Sequence, residues 1–355
     1  MGNRDGILRL ILTGVFCASI IVYAAINGLF DGNNKNIIFT ESQKLTDIYD
    51  IPANGSIYTA NIIETEIKNE SSEEQITSSE TAVESQPAAS DGAVLGKIIE
   101  KFITPYTANT SYGKVYLKNS TGLSIDIKEL LSSPINFKIQ ENSEPQVLIM
   151  HTHTTESYML DNRDYYTEND KSRRTDENYN NVRLGKIVTD KLNAAGIATL
   201  HDTTMHDYPE YNGSYDRSNE TVKGYLKKYP SIKIVIDMHR DAVASGSDKI
   251  KLVTEIGGKK AAQVMLVMGS QSGSTTNYPN WKENLKLAVR LQQKLEEKYP
   301  TLARSINLCS RNYNQSLTTG SMLIEMGTDA NNIDEMSYSA ELLGNALIEL
   351  LKELE

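Results

Sequence analysis

Three of the five histidines follow runs of residues that are typical of buried strands. His151 and His153 come directly after VLIM, within HTHTTESY, and His239 follows IKIVIDM. Ligands bind beyond the carboxyl ends of the strands in open α/β sheets, so we expect these side chains to converge although they are distant in sequence. Glu156 lies in the same short segment as the first two histidines. Histidine with carboxylate is the ligand set of catalytic zinc, and the pattern therefore predicts a Zn²⁺ centre.

A further carboxylate, Glu325, stands in the apolar run SMLIEMG. The three apolar residues before it would partly remove it from water, and desolvation raises the pKa of a carboxylate toward the range of a general base. We therefore predict Glu325 as the catalytic base. The sequence contains no G-x-S-x-G element, which argues against a serine hydrolase.

Two other features bear on substrate binding. Arg240 follows His239 and is a candidate for binding an oxyanion or a substrate carboxylate, with an exposed ion pair to Asp237 or Asp241 as the simpler interpretation. The aromatic segment YPEYNGSYDRS, residues 208–218, could form a substrate rim or could pack the loop down.

The elements that must position these residues form a regular pattern from Gln146 onward. Short β-rich runs alternate with amphipathic helical stretches, which predicts an α/β fold with a mostly parallel twisted sheet flanked by helices. The predicted strands are VLIM, ATLH, IKIVIDMH, KLVTEI, AQVMLVMG, SINLCS and SMLIEMG. The predicted helices are NNVRLGKIVTDKLNAAG with Gly196 as its cap, NETVKGYLKKY, NWKENLKLAVRLQQKLEEKYP and ELLGNALIELLKE, and Leu95–Ile103 is a possible short helix.

The amino-terminal third has a different character. An uncharged apolar run of about 20 residues is long enough to cross a bilayer, and the arginines before it place the amino terminus in the cytoplasm. A cleavable signal peptide is the alternative interpretation. A Glu/Ser/Thr-rich stretch follows and is predicted to be a disordered tether. The predicted organisation is a cytoplasmic tail at 1–9, a transmembrane helix at 10–30, a linker at 31–93, a small lead-in subdomain at 94–145 and a catalytic domain at 146–355.

Composition excludes several functions. The chain has 355 residues, with 36 Lys+Arg against 46 Asp+Glu, and its net charge of −10 argues against binding to nucleic acid phosphates. Its two cysteines, Cys17 and Cys309, provide neither a disulfide framework nor a zinc-finger pair. A metal site in this protein must therefore use histidine and carboxylate.

The segments LIMHTHTTESY, YNGSYDRSNETV, IVIDMHRDA and LIEMG, together with the amino-terminal anchor and acidic linker, resemble the stage II sporulation protein P family of endospore-forming bacteria. The resemblance spans about Thr104 to the carboxyl end. It implies kinship with zinc-dependent N-acetylmuramoyl-L-alanine amidases, endopeptidase action on peptide cross-links, and a role in forespore engulfment at the mother-cell membrane. It also implies two partners, stage II sporulation proteins D and M, and peptidoglycan as the substrate.

The amidase relatives use a His, a Glu and a second His as zinc ligands, with a further Glu as base. By resemblance His239 matches the second histidine and Glu325 the base. His151 is the preferred first histidine, and His153 is an alternative ligand or a donor to one, since both would lie on the same side of an extended chain. Glu156 is preferred as the carboxylate for its proximity, with Glu177 as the substitute because relatives place theirs nearer the next helix.

Two rival interpretations stay open. A pure peptidase would use the same zinc and carboxylate, so the sequence does not separate it from an amidase. A membrane-tethered scaffold without catalytic activity, which recruits other cell-wall enzymes, would need none of these residues, and the complete His/Glu set argues against it.

Overall fold

A computed structural model describes residues 92–140 and 144–355. The predicted cytoplasmic tail, transmembrane helix and nearly all of the predicted linker lie outside these residues. Among the helices in the described ranges, none has both the length and the apolar character needed to cross a membrane.

The described residues form thirteen strands, five α-helices and two short 3₁₀-helices. The strands are β1 Val94–Lys101, β2 Thr110–Tyr112, β3 Val115–Asn119, β4 Val147–Met150, β5 Tyr165–Thr167, β6 Thr199–His201, β7 Ile234–Asp241, β8 Ala244–Ser245, β9 Asp248–Ile256, β10 Lys259–Ala262, β11 Val264–Gly269, β12 Ile306–Cys309 and β13 Ser321–Thr328. The helices are α1 Ile127–Ser132, α2 Asn181–Ala194, α3 Ser214–Lys228, α4 Trp281–Lys298 and α5 Ile333–Lys352, and the 3₁₀-helices are Pro105–Thr107 and Gln315–Leu317.

An eight-stranded sheet forms the centre of this region, in the order β2-β3-β12-β11-β13-β7-β4-β6. The neighbours β13-β7, β7-β4 and β4-β6 are parallel, as are β11-β12 and β12-β3. Only β11-β13 and β2-β3 are antiparallel. The α/β fold with a mostly parallel sheet, expected from the alternation of elements, is confirmed.

A second sheet, of five strands, has the order β10-β9-β1-β5, with β8 paired to β9. Its pairs are antiparallel except β1-β9. The helix expected at Leu95–Ile103 is wrong, because this segment is strand β1. Ile98 and Ile99 face opposite sides of the strand and pack in two different apolar clusters. Because both faces of the strand are apolar, the sequence contains apolar residues four positions apart, which is also the spacing of a helix.

The segment 94–145 contributes to both sheets. Its strand β1 belongs to the small sheet, whereas β2 and β3 extend the large sheet beyond β12. Helix α1 begins after Asp126, whose side chain accepts the backbone N–H of Glu129, and it contacts α4.

The two faces of the large sheet are covered by different helices. One face buries Val147, Ile149, Ile234 and Ile236 in the same cluster as residues of α2, α4 and α5. The opposite face buries Leu148 and Val235 against Val222 of α3. Helix α2 ends where predicted, with Gly196 in the left-handed conformation just after it, and α5 begins earlier than predicted, at a capping box formed by Asn332 and Glu335.

Helix α2 lies close to the sheet at Gly185. A Cβ at this position would lie 2.4 Å from Nε2 of His201 and 2.6 Å from Nε2 of His151. We therefore predict that Gly185→Ala lowers the free energy of unfolding by about 1–3 kcal/mol through overpacking, as measured by urea denaturation.

Gly224 provides a matched control, because it lies in the exposed part of α3 and a Cβ there would meet nothing within 4 Å. Gly224→Ala should raise the free energy of unfolding by about 0.5 kcal/mol. Equal effects at the two glycines would contradict the packing described for α2.

Candidate metal centre

His153, Glu156 and His239 form one buried group, in which a ligand atom from each side chain lies within 4.8 Å of the others. His153 Nδ1 is 3.3 Å from Glu156 Oε1, and His239 Nδ1 is 3.6 Å from Glu156 Oε2. The two imidazole rings are 4.9 Å apart. Two histidines and a carboxylate at this spacing are suited to a transition metal such as zinc.

Parallel strands bring this group together. His239 lies in β7, and His153 and Glu156 lie in the turn that follows β4, its parallel neighbour. The carboxyl ends of both strands therefore meet at the group, as expected for an α/β site. Glu156 also forms a β-bridge with Arg173, which ties the turn to the segment before α2.

His151, the histidine preferred from the sequence, lies elsewhere. Met150 pairs with Asp237 across β4 and β7, so His151 falls on the face opposite to Asp237 and His239. Its Nδ1 is 3.0 Å from the carbonyl oxygen of Met238, and its Nε2 is 2.9 Å from Nε2 of His201. The chain turns after Met150 rather than staying extended, and this turn places the alternative, His153, in the group.

The carboxylate in the group is Glu156. Its Oε2 accepts the backbone N–H of Arg240 at 3.1 Å and the side-chain amide of Asn181 at 3.2 Å. Hydrogen bonds of this kind orient metal-binding carboxylates. The substitute, Glu177, is exposed in the turn before α2 and is not part of the group.

The charges of the group favour a cation. Burial would raise the pKa of Glu156, but hydrogen bonds from His153 and His239 hold this pKa well below its ordinary value. Burial lowers the pKa of His153, so that histidine is neutral. Burial also opposes the charge on His239, yet Asp237 and Glu156 raise its pKa well above the ordinary value. A metal that binds here would replace the proton on His239.

Glu325 stands beside this group in β13, where it pairs in register with His239. Among the described residues, its Oε2 has no hydrogen-bond partner although the atom is buried. Burial first and then the negative charge of Asp241 raise the pKa of Glu325 to about 8, against the opposing effect of His239. Asp241 itself forms a buried ion pair with Arg304 at 2.7 Å.

Arg240, the tentative substrate residue, is buried and points away from solvent. Its Nε donates to the carbonyl of Ser157 at 3.1 Å and its Nη2 to the carbonyl of Ser172 at 2.7 Å. The side chain is therefore buried rather than exposed as the simpler interpretation expected, and these hydrogen bonds hold it between two segments. Its guanidinium connects the turn that carries Glu156 to the segment that carries Arg173.

Tyrosines border the group, as the aromatic segment 208–218 suggested. The Tyr211 ring lies 4.7 Å from the His153 ring, and the Tyr215 ring is stacked 6.4 Å from the ring of His239. Tyr313, which the sequence did not single out, lies 5.9 Å from Tyr215. Tyr313 lies in a loop that is distant in sequence and contains no recognisable motif, so no signal for it was present in the sequence.

Arg173 and Asp207 are further neighbours that the sequence did not reveal. Arg173 Nη1 contacts Asp207 Oδ2 at 2.5 Å, and Arg173 Nη2 lies 3.7 Å from Glu156 Oε1. Each stands in an irregular segment with no recognisable pattern, so only the folded chain identifies them.

The described region is thus an α/β domain with a buried His/Glu/His group and a carboxylate of raised pKa beside it. The chain belongs to the stage II sporulation protein P family, whose family model, Stage II sporulation protein P (SpoIIP), matches residues 30–348. It is 32% identical over 222 residues to Stage II sporulation protein P of Bacillus subtilis (strain 168). That match covers 59% of this chain and 52% of the relative, so the chain spans about half the length of this relative.

Among solved structures, the chain is similar to the N-acetylmuramoyl-L-alanine amidase AmiC2 of Nostoc punctiforme, with 10% identity, a TM-score of 0.34, and coverage of 60% of this chain and 98% of that one. It is also similar to an N-acetylmuramoyl-L-alanine amidase from Clostridium difficile 630, with 14% identity, a TM-score of 0.34, and coverage of 60% and 100%. A third similar structure is the CwlD amidase from Clostridioides difficile in complex with the GerS lipoprotein, with 11% identity, a TM-score of 0.34, and coverage of 59% and 98%.

The two histidines after β4 should respond differently to substitution. His153→Ala is expected to weaken zinc binding more than about 100-fold, because it removes a candidate ligand. His151→Ala should retain zinc but lower the free energy of unfolding by about 1–3 kcal/mol, because it leaves buried partners unsatisfied. Zinc content by elemental analysis and urea denaturation measure the two effects.

The two candidate carboxylates provide an isosteric comparison for the same assay. Glu156→Gln should lose zinc, whereas Glu177→Gln, at the surface, should bind zinc as the unmodified protein does. Zinc loss in His151→Ala with the fold intact would restore the histidine preferred from the sequence, and zinc loss in Glu177→Gln would favour the substitute carboxylate over Glu156.

The raised pKa of Glu325 has a consequence for stability in the metal-free protein. A carboxylate whose pKa is raised on folding destabilises the folded state as pH rises from its ordinary value of 4.5 to about 8. Glu325→Gln should therefore raise the Tm of the chelator-treated protein at pH 9 and change it much less at pH 4.5. Thermal unfolding at both values measures this, and an equal shift at the two pH values would rule out the titration.

Proposed function

We propose that this protein is a zinc-dependent peptidoglycan hydrolase, an N-acetylmuramoyl-L-alanine amidase that also cleaves peptide cross-links as an endopeptidase during forespore engulfment. The observation that carries the proposal is one buried group, His153, Glu156 and His239, with the unpartnered carboxylate of Glu325 beside it. Membership in the stage II sporulation protein P family supports a role in sporulation.

The donor set fits zinc. Two imidazoles and one carboxylate are three protein ligands, which is the number typical of catalytic zinc sites that keep a position open for water or substrate. The buried Oε2 of Glu325 has no hydrogen-bond partner among the described residues, which is consistent with a site that binds further atoms. His239 Nε2 lies 2.9 Å from Asp237 Oδ1, a carboxylate contact of the kind that orients a metal-binding histidine. Zinc bound here would supply an activated water and polarise the amide carbonyl of the substrate.

In this proposal Glu325 moves the proton. Its raised pKa lets the carboxylate accept a proton from the attacking water and donate it to the departing amine, which leaves only after protonation. The tyrosines around His153 would exclude water from the flanks of the site and pack against the substrate. This reaction needs no nucleophilic side chain.

The proposal includes the location of the protein. The apolar run at 10–30 would anchor the chain in the mother-cell membrane at the sporulation septum, with the amino terminus in the cytoplasm and the catalytic domain outside. The acidic segment after it would serve as a tether. Stage II sporulation proteins D and M are the proposed partners, on the basis of the family resemblance alone.

The test is digestion of purified peptidoglycan by the full-length protein in detergent, with products identified by mass spectrometry. Zinc-loaded protein should release intact stem peptides and cut cross-links, and a chelator should abolish both. Glu325→Gln is expected to reduce the rate by about 100-fold or more while zinc content stays unchanged. The exposed Glu341→Gln, in α5, makes the same chemical change away from the site and should retain full activity.

The products also separate the rival functions. Cross-link cleavage without stem release would leave a peptidase alone. A folded protein that binds peptidoglycan but shows no zinc-dependent cleavage would favour the scaffold and disprove the proposal.

A further inference from the structure

Arg173 is a partly exposed basic side chain beside the candidate metal centre. Its Nη2 lies 3.7 Å from Oε1 of Glu156, and its side chain is 24% exposed. A cation beside a metal-binding group repels the metal, so metal binding does not explain why Arg173 lies there. A role in binding an anionic group of the substrate would explain its position.

The guanidinium is held in place on one side. Arg173 Nη1 donates to Asp207 Oδ2 at 2.5 Å and lies 3.4 Å from Oγ1 of Thr155. Asp207 is buried and also accepts the backbone N–H of Thr155 at 3.1 Å. The Tyr211 ring stacks on the guanidinium, with 4.6 Å between the ring centroid and Cζ. The side chain is therefore preorganised before a substrate binds.

The other edge of the same guanidinium, formed by Nε and Nη2, makes no hydrogen bond to the described residues, and its one ion-pair contact there is from Nη2 to Glu156 Oε1 at 3.7 Å. Within residues 92–140 and 144–355, Nε and Nη2 of Arg173 have no hydrogen-bond acceptor in bonding geometry, and neither is among the buried polar atoms without a partner. The side chain is 24% exposed, so these N–H groups are available to an acceptor on a bound substrate. Tyr211, which packs on Arg173, packs on the candidate ligand His153 as well.

We propose that Arg173 determines substrate specificity by binding a carboxylate of the substrate close to the scissile amide. This inference depends on the proposed hydrolase function and names its substrate class, a peptide amide with a free carboxylate near the cleaved bond. The planar edge formed by Nε and Nη2 matches the two oxygens of a carboxylate, which an uncharged amide cannot reproduce. Asp207 pairs with Nη1, away from this edge, and Glu156 Oε1 lies 3.7 Å from Nη2, so neither carboxylate makes a bidentate contact with Nε and Nη2.

The experiment uses two synthetic muramoyl peptides that are identical except for one group, a free carboxylate or a carboxamide on the residue beside the cleaved bond. The zinc-loaded full-length protein should cleave the carboxylate form with a kcat/KM about 10- to 100-fold higher, as expected for a hydrogen-bonded charge pair. Arg173→Gln should abolish this preference, because kcat/KM should fall more for the carboxylate peptide than for the carboxamide peptide.

Controls distinguish recognition from structure. Arg174→Gln alters the adjacent arginine, whose Nη2 lies near the carbonyl of Asn169 and away from the group, and should keep the full preference. Zinc content and Tm are measured for every variant. If Arg173→Gln loses zinc or unfolds, Arg173→Lys replaces it, because it keeps the charge without the planar edge and should reduce the preference at least threefold.

Each outcome decides the question. Equal cleavage of both peptides by the unmodified protein overturns the role of Arg173, as does a variant that slows both peptides equally and keeps the preference. A protein that binds zinc and cleaves neither peptide overturns the proposed hydrolase function instead.

Discussion

The parallel register of β4, β7 and β13 is the constraint on which the site depends. Met150 pairs with Asp237, and His239 pairs with Glu325, so the candidate ligand and the candidate base project from the same face of the sheet. A shift of one residue between β7 and β13 would move Glu325 to the face covered by α2, α4 and α5. The apolar side chains buried on both faces resist such a shift, because each would have to exchange a packed surface for a different one.

The burial of the charged Glu156 carboxylate is the main unfavourable electrostatic contribution at the site. A buried carboxylate is strongly unfavourable without compensation, and here the backbone of Arg240, the amide of Asn181 and two imidazoles surround it. Buried Arg240 donates hydrogen bonds to carbonyl oxygens of Ser157 and Ser172 and so holds the turn that carries Glu156. Folding thus places an ionised carboxylate among its hydrogen-bond donors. A cation that binds there would replace the proton that His239 otherwise carries.

Many of the strands and helices that form the large sheet and its covering layers could be predicted from local sequence patterns. The apolar runs that became β4, β7, β11 and β13 are continuous and short, and the amphipathic runs that became α2 and α4 have clear helical spacing. The small sheet was not predicted, because β1 pairs in parallel with β9, about 150 residues away, and apolar residues on both of its faces imitate a helix. The positions of Arg173, Asp207 and Tyr313 beside the site were not predicted either, because they lie in irregular segments that have no hydrophobic periodicity.

The sequence by itself determined the residue types available for chemistry, the α/β class and the family, because these depend on composition, short motifs and the order of elements. Only the tertiary structure decided which residues meet. His151 and His153 are equivalent in a sequence that is assumed to stay extended, but strand pairing places His151 on the opposite face and the turn after Met150 carries His153 to Glu156 and His239. The reason is physical: side-chain direction depends on inter-strand register and on where a strand ends, and both result from packing between segments that are far apart in the chain.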